Sequence, residues 1–238
     1  MESVETNSTE PDTVLASWRD SRWLPGLEFA LIALIFYADD RGWIPISKTP
    51  ELVLVGWLSL RLRKLRWRDV GLKRYRSWLR TIALGVMLGA LLETFQLTIV
   101  QPFLSRLFGQ QPDLALFRQL TGNLKLTLLF LALSWTLAAF GEEMFWRGYL
   151  INRVADLFGS ARNRWAVSLI MTSALFGLAH GYQGVTGWVE ESLAGLMLGL
   201  IYLGTGRNLW LPIIAHGVCD TIDMVLLYFG KMPGAGLQ

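Results

Sequence analysis

Apolar residues follow one another in long stretches along most of the chain, and short polar or glycine-containing segments separate these stretches. A transmembrane helix needs about 20 mostly apolar residues, and several stretches reach or approach that length. The pattern predicts about seven spans, within a range of roughly six to eight, near residues 24–38, 43–60, 79–101, 124–151, 165–181, 188–204 and 209–229. The predicted fold class is therefore all-α, a multi-pass bundle of transmembrane helices.

The first residues, MESVETNSTEPDT, are polar and acidic, in contrast to the rest of the chain. They lack the basic start and the small-residue cleavage site of a secretory signal, so residues 1–20 are predicted to form a disordered cytoplasmic tail. We find no internal repeat and no Gly/Ser/Pro-rich linker in the remainder. Residues 21–238 are accordingly predicted to form a single membrane domain.

The composition agrees with a membrane protein. Hydrophobic residues make up 53% of the chain, charged residues only 17%, and the mean hydropathy is +0.38, which is too apolar for an ordinary soluble domain. Cys219 is the only cysteine, which excludes an intrachain disulfide and a zinc site built from cysteines.

Positive charge is concentrated in the segment Arg61 to Arg80, which holds nine Lys or Arg residues and one Asp. A basic loop between spans is usually held on the cytoplasmic side, where it meets anionic lipid. The loops that contain Arg153, Arg162 and Arg207 then also face the cytoplasm. We expect this charge to contact the bilayer surface and not nucleic acid.

The stretch AAFGEEMFWRGYL places two carboxylates and one guanidinium within an apolar run, where ionisable residues are rare and usually mark function. On a helix, Glu143 and Arg147 are four residues apart in the favourable order and can form an ion pair. Glu142 points about 100° away from Glu143 and is available for another role. The pair could be only structural, whereas Glu142 is the candidate for proton transfer.

The only two histidines lie in similar patterns further along the chain. In FGLAH, Phe176 and His180 are four residues apart, and in HGVCD, His216 and Asp220 are four apart on another helix face. At 1.5 Å per residue, both histidines, Asp220 and Glu142 lie roughly 10–22 Å inside their predicted spans. Either histidine alone is better explained as a packed core residue, but their shared depth with the carboxylates predicts one polar site.

These motifs resemble the CPBP family of intramembrane proteases, which includes the CAAX prenyl endopeptidases and relatives of bacteriocin-immunity proteins. EEMFWR fits EExxxR, FGLAH fits FxxxH and HGVCD fits Hxxx(N/D), in the order and approximate spacing of that family. The resemblance covers about residues 120–230, the predicted catalytic core. It implies a helical fold with a cavity open to the cytoplasm, and the predicted location is a bacterial plasma membrane.

The resemblance also implies a glutamate-type hydrolytic mechanism. Carried over by position, Glu142 and His180 would activate a water molecule, while His216 and Asp220 would stabilise the oxyanion. The supporting positions are Glu143, Arg147 and Phe176.

Asp220 stands where the CAAX endopeptidases usually have asparagine. An ionised aspartate only accepts hydrogen bonds, so it would repel an oxyanion. Asp220 could instead be protonated, orient His216 or help to bind a cation. His180, His216 and a carboxylate from Glu142 or Asp220 also match zinc in ligand type, but no HExxH motif is present. The prediction is no metal and no cofactor, with zinc as the alternative.

The sequence thus predicts an intramembrane endopeptidase that hydrolyses a peptide bond of a membrane-associated or prenylated substrate. The predicted partners are a peptide or membrane-protein substrate and the lipid bilayer, without nucleic acid. Two alternatives stay open. One is a non-catalytic membrane immunity or scaffold protein that keeps the site architecture, and the other is a proton- or cation-coupled transporter that uses Glu142, the histidines and Asp220 as a relay.

Overall fold

The structure is a computed structural model that describes residues 23–74 and 77–235. The predicted tail, residues 1–20, lies outside the described residues. The chain divides into two compact units, Met1–Leu65 and Arg66–Gln238, and each is described by itself. The prediction of one membrane domain over residues 21–238 stays a prediction.

The first unit contains helices α1 (Trp23–Asp40) and α2 (Thr49–Leu62). Gly42 has a φ of 69°, a left-handed conformation that glycine adopts without strain, and it turns the chain just after α1. A proline in the first turn of α2 fits a helix start, because the amide hydrogens there have no partner within the helix.

A buried ion pair links the two helices of this unit. Arg63 Nη1 lies 2.6 Å from Glu28 Oε1, and it also donates a hydrogen bond to the Ser59 hydroxyl. Because both charged side chains are largely buried, their pairing offsets the cost of removing them from water.

The second unit is a succession of helices. In chain order it contains a 3₁₀ turn (Trp67–Val70), α3 (Trp78–Phe95), the π-helix π1 (Gln96–Val100), α4 (Gln101–Phe108), a 3₁₀ turn (Ala115–Leu120), α5 (Leu124–Leu133), the π-helices π2 (Ser134–Glu142) and π3 (Met144–Leu150), α6 (Ile151–Leu157), α7 (Arg164–Leu178), a 3₁₀ turn (Gly181–Gln183), α8 (Gly184–Gly204) and α9 (Trp210–Tyr228). The described residues form no β-strand, so the all-helical fold class is confirmed for them.

Three continuous helical stretches of the described chain are long and apolar enough to cross a membrane. They are Trp78–Phe108, Leu124–Leu157 and Trp210–Tyr228. A fourth is reached if Arg164–Leu178 and Gly181–Gly204, which are bent by 58° at the break between them, count as one broken span. Seven separate spans are therefore not confirmed.

Length and charge explain why the first two predicted spans, near residues 24–38 and 43–60, are not among these candidates. The 18 residues of α1 include three acidic residues, Glu28, Asp39 and Asp40. Helix α2 has 14 residues, which at 1.5 Å per residue is about 21 Å against a hydrocarbon core of about 30 Å. The apolar runs of the sequence therefore predict more spans than there are helices of spanning length and composition among the described residues.

Helix α9 packs against α3 and π2 through glycines that permit close contact. A Cβ on Gly89 of α3 would lie 2.5 Å from the Ala215 carbonyl oxygen, and a Cβ on Gly217 would lie 2.6 Å from the Trp135 ring. Small residues at such positions let helix backbones approach in a membrane. This packing brings the HGVCD segment of α9 against the segment that leads to Glu142.

Helices α7 and α8 also meet through glycines. A Cβ on Gly195 would lie 3.2 Å from Phe176, and one on Gly199 would lie 2.3 Å from Leu169. Helix α7 ends at Leu178, two residues before His180, so the sequence prediction of a helix through residue 181 was too long. The backbone of Gln183 accepts a hydrogen bond from the Asp113 amide at 2.9 Å, which ties the following turn to the segment before α5.

Candidate active site

Glu143 and Arg147 form a buried ion pair at the centre of the site. Arg147 Nη1 donates to Glu143 Oε1 over 2.6 Å, and Nη2 donates to the Gly195 carbonyl oxygen over 2.9 Å. The guanidinium carbon lies 4.8 Å from the centre of the Phe176 ring. The pairing predicted from the four-residue spacing is confirmed, and the added contacts tie Arg147 to α7 and α8 as well.

His216 extends this ion pair toward α9. Its Nδ1 lies 3.0 Å from Glu143 Oε1, and because a carboxylate only accepts, Nδ1 carries the proton in this contact. Its Nε2 lies 3.5 Å from Asp220 Oδ1. Each ring nitrogen of His216 thus faces a carboxyl group. One belongs to Glu143, which lies between π2 and π3, and the other to Asp220 of the same helix as His216.

Asp220 is held by a residue that the sequence analysis did not single out. The Ser134 hydroxyl, at the start of π2, donates a hydrogen bond to Asp220 Oδ2. Ser134 is buried, whereas Asp220 is half-buried. Of the roles left open for Asp220, this arrangement fits the orientation of His216.

His180 lies in the turn after α7. Its Nδ1 is 2.9 Å from the Phe176 carbonyl oxygen, and because a carbonyl oxygen only accepts, this contact assigns the ring proton to Nδ1. In the neutral ring, Nε2 is then the nitrogen that can accept a proton. The ring is half-buried, so it is not enclosed in the core.

The Phe176 ring lies close to the rings of both histidines. Its centre is 4.8 Å from the centre of the His180 ring and 6.3 Å from that of the His216 ring. The Trp146 ring packs edge-on against it, with centres 5.5 Å apart. The two histidines, far apart in sequence, therefore border one aromatic side chain, as the predicted convergence requires.

Glu142 is half-buried, whereas its neighbour Glu143 is fully buried. The Glu142 carboxylate interacts electrostatically with His216, Arg147 and Tyr182. The Tyr182 ring lies 6.1 Å from the His180 ring, centre to centre. Glu142 thus lies within electrostatic range of His216 and Tyr182, in a position more open to solvent than that of Glu143.

Glu191 is a further carboxylate near the site that the sequence analysis missed. It interacts electrostatically with Arg147, Tyr182 and Asp220, and its Oε1 lies 3.4 Å from Gln183 Nε2. The signal was present, because GWVEESLAGL carries a second pair of adjacent glutamates inside an apolar run, as GEEMFWR does.

Two more acidic residues lie on the α3 side of α9. The carboxyl groups of Glu93 and Asp223 are in hydrogen-bonding contact with each other, and Asp220 lies within electrostatic range of both. Glu93 is buried in the middle of an apolar helix. Carboxyl groups therefore continue from the histidines toward α3.

The described residues do not present a metal centre. Within residues 23–74 and 77–235, no three His, Cys, Asp or Glu side chains are grouped so that they could hold a metal ion. The prediction of no metal and no cofactor, with zinc as the alternative, stays a prediction.

Part of the chain is similar to a known protein family. Residues 123–222, which are less than half of the chain, match the family described as type II CAAX prenyl endopeptidase Rce1-like. All three sequence motifs lie within this range. Rce1-like proteins are part of the CPBP family, so this segment is similar to the CPBP family.

The CPBP match confirms the resemblance found in the motifs. Comparison of the chain with curated proteins and with solved structures gave no match. The matched family is one of CAAX-type proteases, and together with the apolar helices it fits an integral membrane protein. The CPBP segment runs from the start of α5 to the middle of α9, so it includes all the proposed site residues.

Proposed function

We propose that this protein is an intramembrane endopeptidase that hydrolyses a peptide bond of a membrane-associated or prenylated substrate. The observation that carries the proposal is the meeting of both histidines of the chain at Phe176, beside the buried pair of Glu143 and Arg147. The family match supports the same reaction class.

In the proposed reaction, Glu142 and His180 activate the attacking water. The half-buried Glu142 carboxylate takes a proton from the water as its oxygen attacks the carbonyl carbon of the scissile bond. The same carboxyl group then gives this proton to the leaving nitrogen when the C–N bond breaks. His180 orients the water molecule: its Nε2 accepts a hydrogen bond from the second O–H group of the water.

His216 is proposed to act on the developing oxyanion, while Asp220 orients its ring. Glu143 fixes the ring from the Nδ1 side, and Asp220 faces Nε2 at 3.5 Å, a distance at the limit of a hydrogen bond. His216 acts here as an imidazolium: its Nδ1–H donates to Glu143, and the weak contact with Asp220 leaves the Nε2–H group available to donate to an oxyanion. In this arrangement Asp220 does not touch the oxyanion, which removes the conflict between two negative charges.

The proposed location is a bacterial plasma membrane, with the site open to the cytoplasm. The basic loops support this orientation, because positive charge near span ends is retained on the cytoplasmic side. The substrate then reaches the site from the bilayer or its cytoplasmic surface. A prenylated C terminus, a peptide precursor and another membrane protein all satisfy this requirement.

The test replaces Glu142 with glutamine, which keeps nearly the same volume but removes the carboxylate. Candidate substrates come from a comparison of membrane proteomes between cells with the wild-type protein and cells with Glu142→Ala. In liposomes with a reporter made from such a substrate, Glu142→Gln should lose roughly 100-fold or more in rate. Glu51→Gln, on the exposed surface of α2, is the matched control and should cleave at the wild-type rate.

Full cleavage by Glu142→Gln would contradict the glutamate mechanism, whereas a wild-type protein that cleaves none of the candidate substrates would favour a scaffold. The same assay tests the proposal that no metal is required: activity should survive a zinc-selective chelator. Inactivation by the chelator, with recovery on addition of Zn²⁺, would instead point to a zinc enzyme with the two histidines among its ligands.

A further inference from the structure

Ser134 and Trp135 form the contact between the start of π2 and helix α9. The Ser134 hydroxyl donates to Asp220, and Trp135 Nε1 donates to the Thr221 hydroxyl over 3.1 Å. The Trp135 ring also lies over Gly217, where no side chain intervenes. Two adjacent residues of π2 are therefore joined to two adjacent residues of α9, one of which faces His216.

The helix type decides which residues face α9. Ser134 and Glu143 are nine residues apart, and in an α-helix this is 2.5 turns, so the two side chains would lie about 180° apart. A π-helix, with its i→i+5 hydrogen bonds, has more than four residues per turn, so nine residues make about two turns. The π-helical segment thus turns Ser134 and Glu143 to the same face.

On the α9 side, His216 and Asp220 are four residues apart and also share a face. Glu143 contacts the first and Ser134 contacts the second. The result is a chain of polar contacts from Arg147 through Glu143, His216 and Asp220 to Ser134. In this chain of contacts, the neutral Ser134 hydroxyl donates to Asp220 Oδ2, the carboxyl oxygen other than the one that faces His216.

We propose that Ser134 is a positioning residue for the proposed hydrolysis, acting through Asp220 to set the orientation of the His216 imidazole. The inference rests on the proposed function. The hydroxyl of Ser134 holds Oδ2, which directs Oδ1 of the same carboxyl group toward His216 Nε2. Without it, the half-buried Asp220 side chain can rotate, and one of the two groups that hold the imidazole in place is lost.

The experiment compares Ser134→Ala with Thr221→Val in the whole protein. Thr221→Val removes the neighbouring contact to α9 without touching Asp220, so it is the matched control. Ser134→Ala should lose about tenfold in kcat with little change in KM, the scale expected for a hydrogen bond to a charged group. It should also shift the pH profile of kcat, whereas Thr221→Val should leave both unchanged.

A double-mutant cycle tests whether Ser134 acts through Asp220. In an Asp220→Ala background, Ser134→Ala should cause no further loss, because the group through which it acts is already gone. An equal tenfold loss in both backgrounds, or a loss that only follows the amount of folded protein, would overturn the proposal.

A measurement that needs no activity separates this proposal from the proposed function. The chain has only two histidines, so the imidazole ¹⁵N signals of His216 can be assigned by comparison with His180→Gln. They should move in Ser134→Ala and stay in place in Thr221→Val, and unmoved signals in Ser134→Ala would overturn the inference. If the wild-type protein cleaves no substrate, the proposed function fails, and if Glu142→Gln cleaves like the wild type, the glutamate mechanism fails. If the wild type cleaves and Glu142→Gln does not, but Ser134→Ala is fully active, only the role of Ser134 fails.

Discussion

At the residue scale, Arg147 holds together groups from three parts of the site. It pairs with Glu143 at 2.6 Å, donates to the Gly195 carbonyl and lies against the Phe176 ring. Glu143 in turn contacts His216, so the same buried carboxylate serves both a structural and a site partner. Removing Arg147 therefore leaves a negative charge in the core with His216 as its remaining partner.

We predict that Arg147→Ala destabilises the protein by about 3–5 kcal/mol, the usual cost of breaking a buried pair from one side. The measurement is the amount of folded protein and its thermal midpoint in detergent. Arg118→Ala, at an exposed arginine, is the control and should be unchanged.

Adding Glu143→Gln to Arg147→Ala removes the uncompensated charge and should recover part of the lost stability. A variant Arg147→Ala that folds normally and lacks only activity would instead place Arg147 in the chemistry.

At the element scale, the position of the site depends on how closely α3 and α9 approach. Gly89 faces the backbone of Ala215, the residue before His216, so its replacement would push against a carbonyl oxygen that cannot rotate away. The second requirement is the wider π-helical winding on both sides of Glu143, in π2 and π3. Backbone geometry, and not only the site side chains, thus aligns the carboxylates with α9.

Gly89→Ala tests this packing. Alanine has a helix propensity about 1 kcal/mol more favourable than that of glycine. A Cβ 2.5 Å from the Ala215 oxygen should nevertheless lower the free energy of unfolding by more than this gain, because overpacking costs about 1–3 kcal/mol or more. We expect a thermal midpoint lower by several degrees and reduced cleavage.

Gly204→Ala is the matched control for Gly89→Ala. No atom lies within 4 Å of a Cβ at Gly204, so this variant should be as stable as the wild type or slightly more stable. A Gly89→Ala variant that is equally stable would show that α3 and α9 can separate without cost.

At the scale of the whole molecule, the proposed orientation follows from the distribution of charge. The loop between α6 and α7 contains Arg162, and the 3₁₀ turn before α5 contains Gln119, at the opposite end of the stretch Leu124–Leu157. If that stretch crosses the membrane once, these two exposed positions lie on opposite sides. From the positive-inside bias we predict that Arg162 lies on the cytoplasmic side.

Single cysteines test this orientation in a background with Cys219→Ala. A membrane-impermeant maleimide should label Gln119→Cys in intact cells and Arg162→Cys only after the membrane is opened. The reverse labelling pattern would contradict the orientation, and labelling of both in intact cells would contradict a crossing by Leu124–Leu157.

Sequence reasoning predicted the short-range contacts of the site better than the long-range ones. The pairing of Glu143 with Arg147 and the contact of Phe176 with His180 follow from four-residue spacings, which are local and need no knowledge of the fold. The contact between Glu143 and His216, 73 residues apart, could not be derived in this way. It depends on which faces of two distant helices meet.

The helix details were also beyond the reach of the pattern. Hydropathy predicted a continuous helix through residue 181, yet α7 ends at Leu178 and His180 lies in a turn. Hydropathy also did not predict π2 and π3, because a run of apolar residues has the same hydropathy in an α-helix with 3.6 residues per turn and in a π-helix with more. With α-helical geometry, Ser134 is placed on the wrong face, and its contact with Asp220 is missed.

The sequence by itself determined that the chain is helical and apolar, which residues carry ionisable groups inside apolar runs, and which family the segment 123–222 resembles. These properties depend on residue type and short spacing, and neither changes on folding. The tertiary structure decided that Glu143 bridges Arg147 and His216, that Asp220 faces His216 with Ser134 behind it, and that Glu191 lies near the site. Such contacts arise from helix winding and close glycine packing, since both set distances between residues that the chain keeps far apart in sequence.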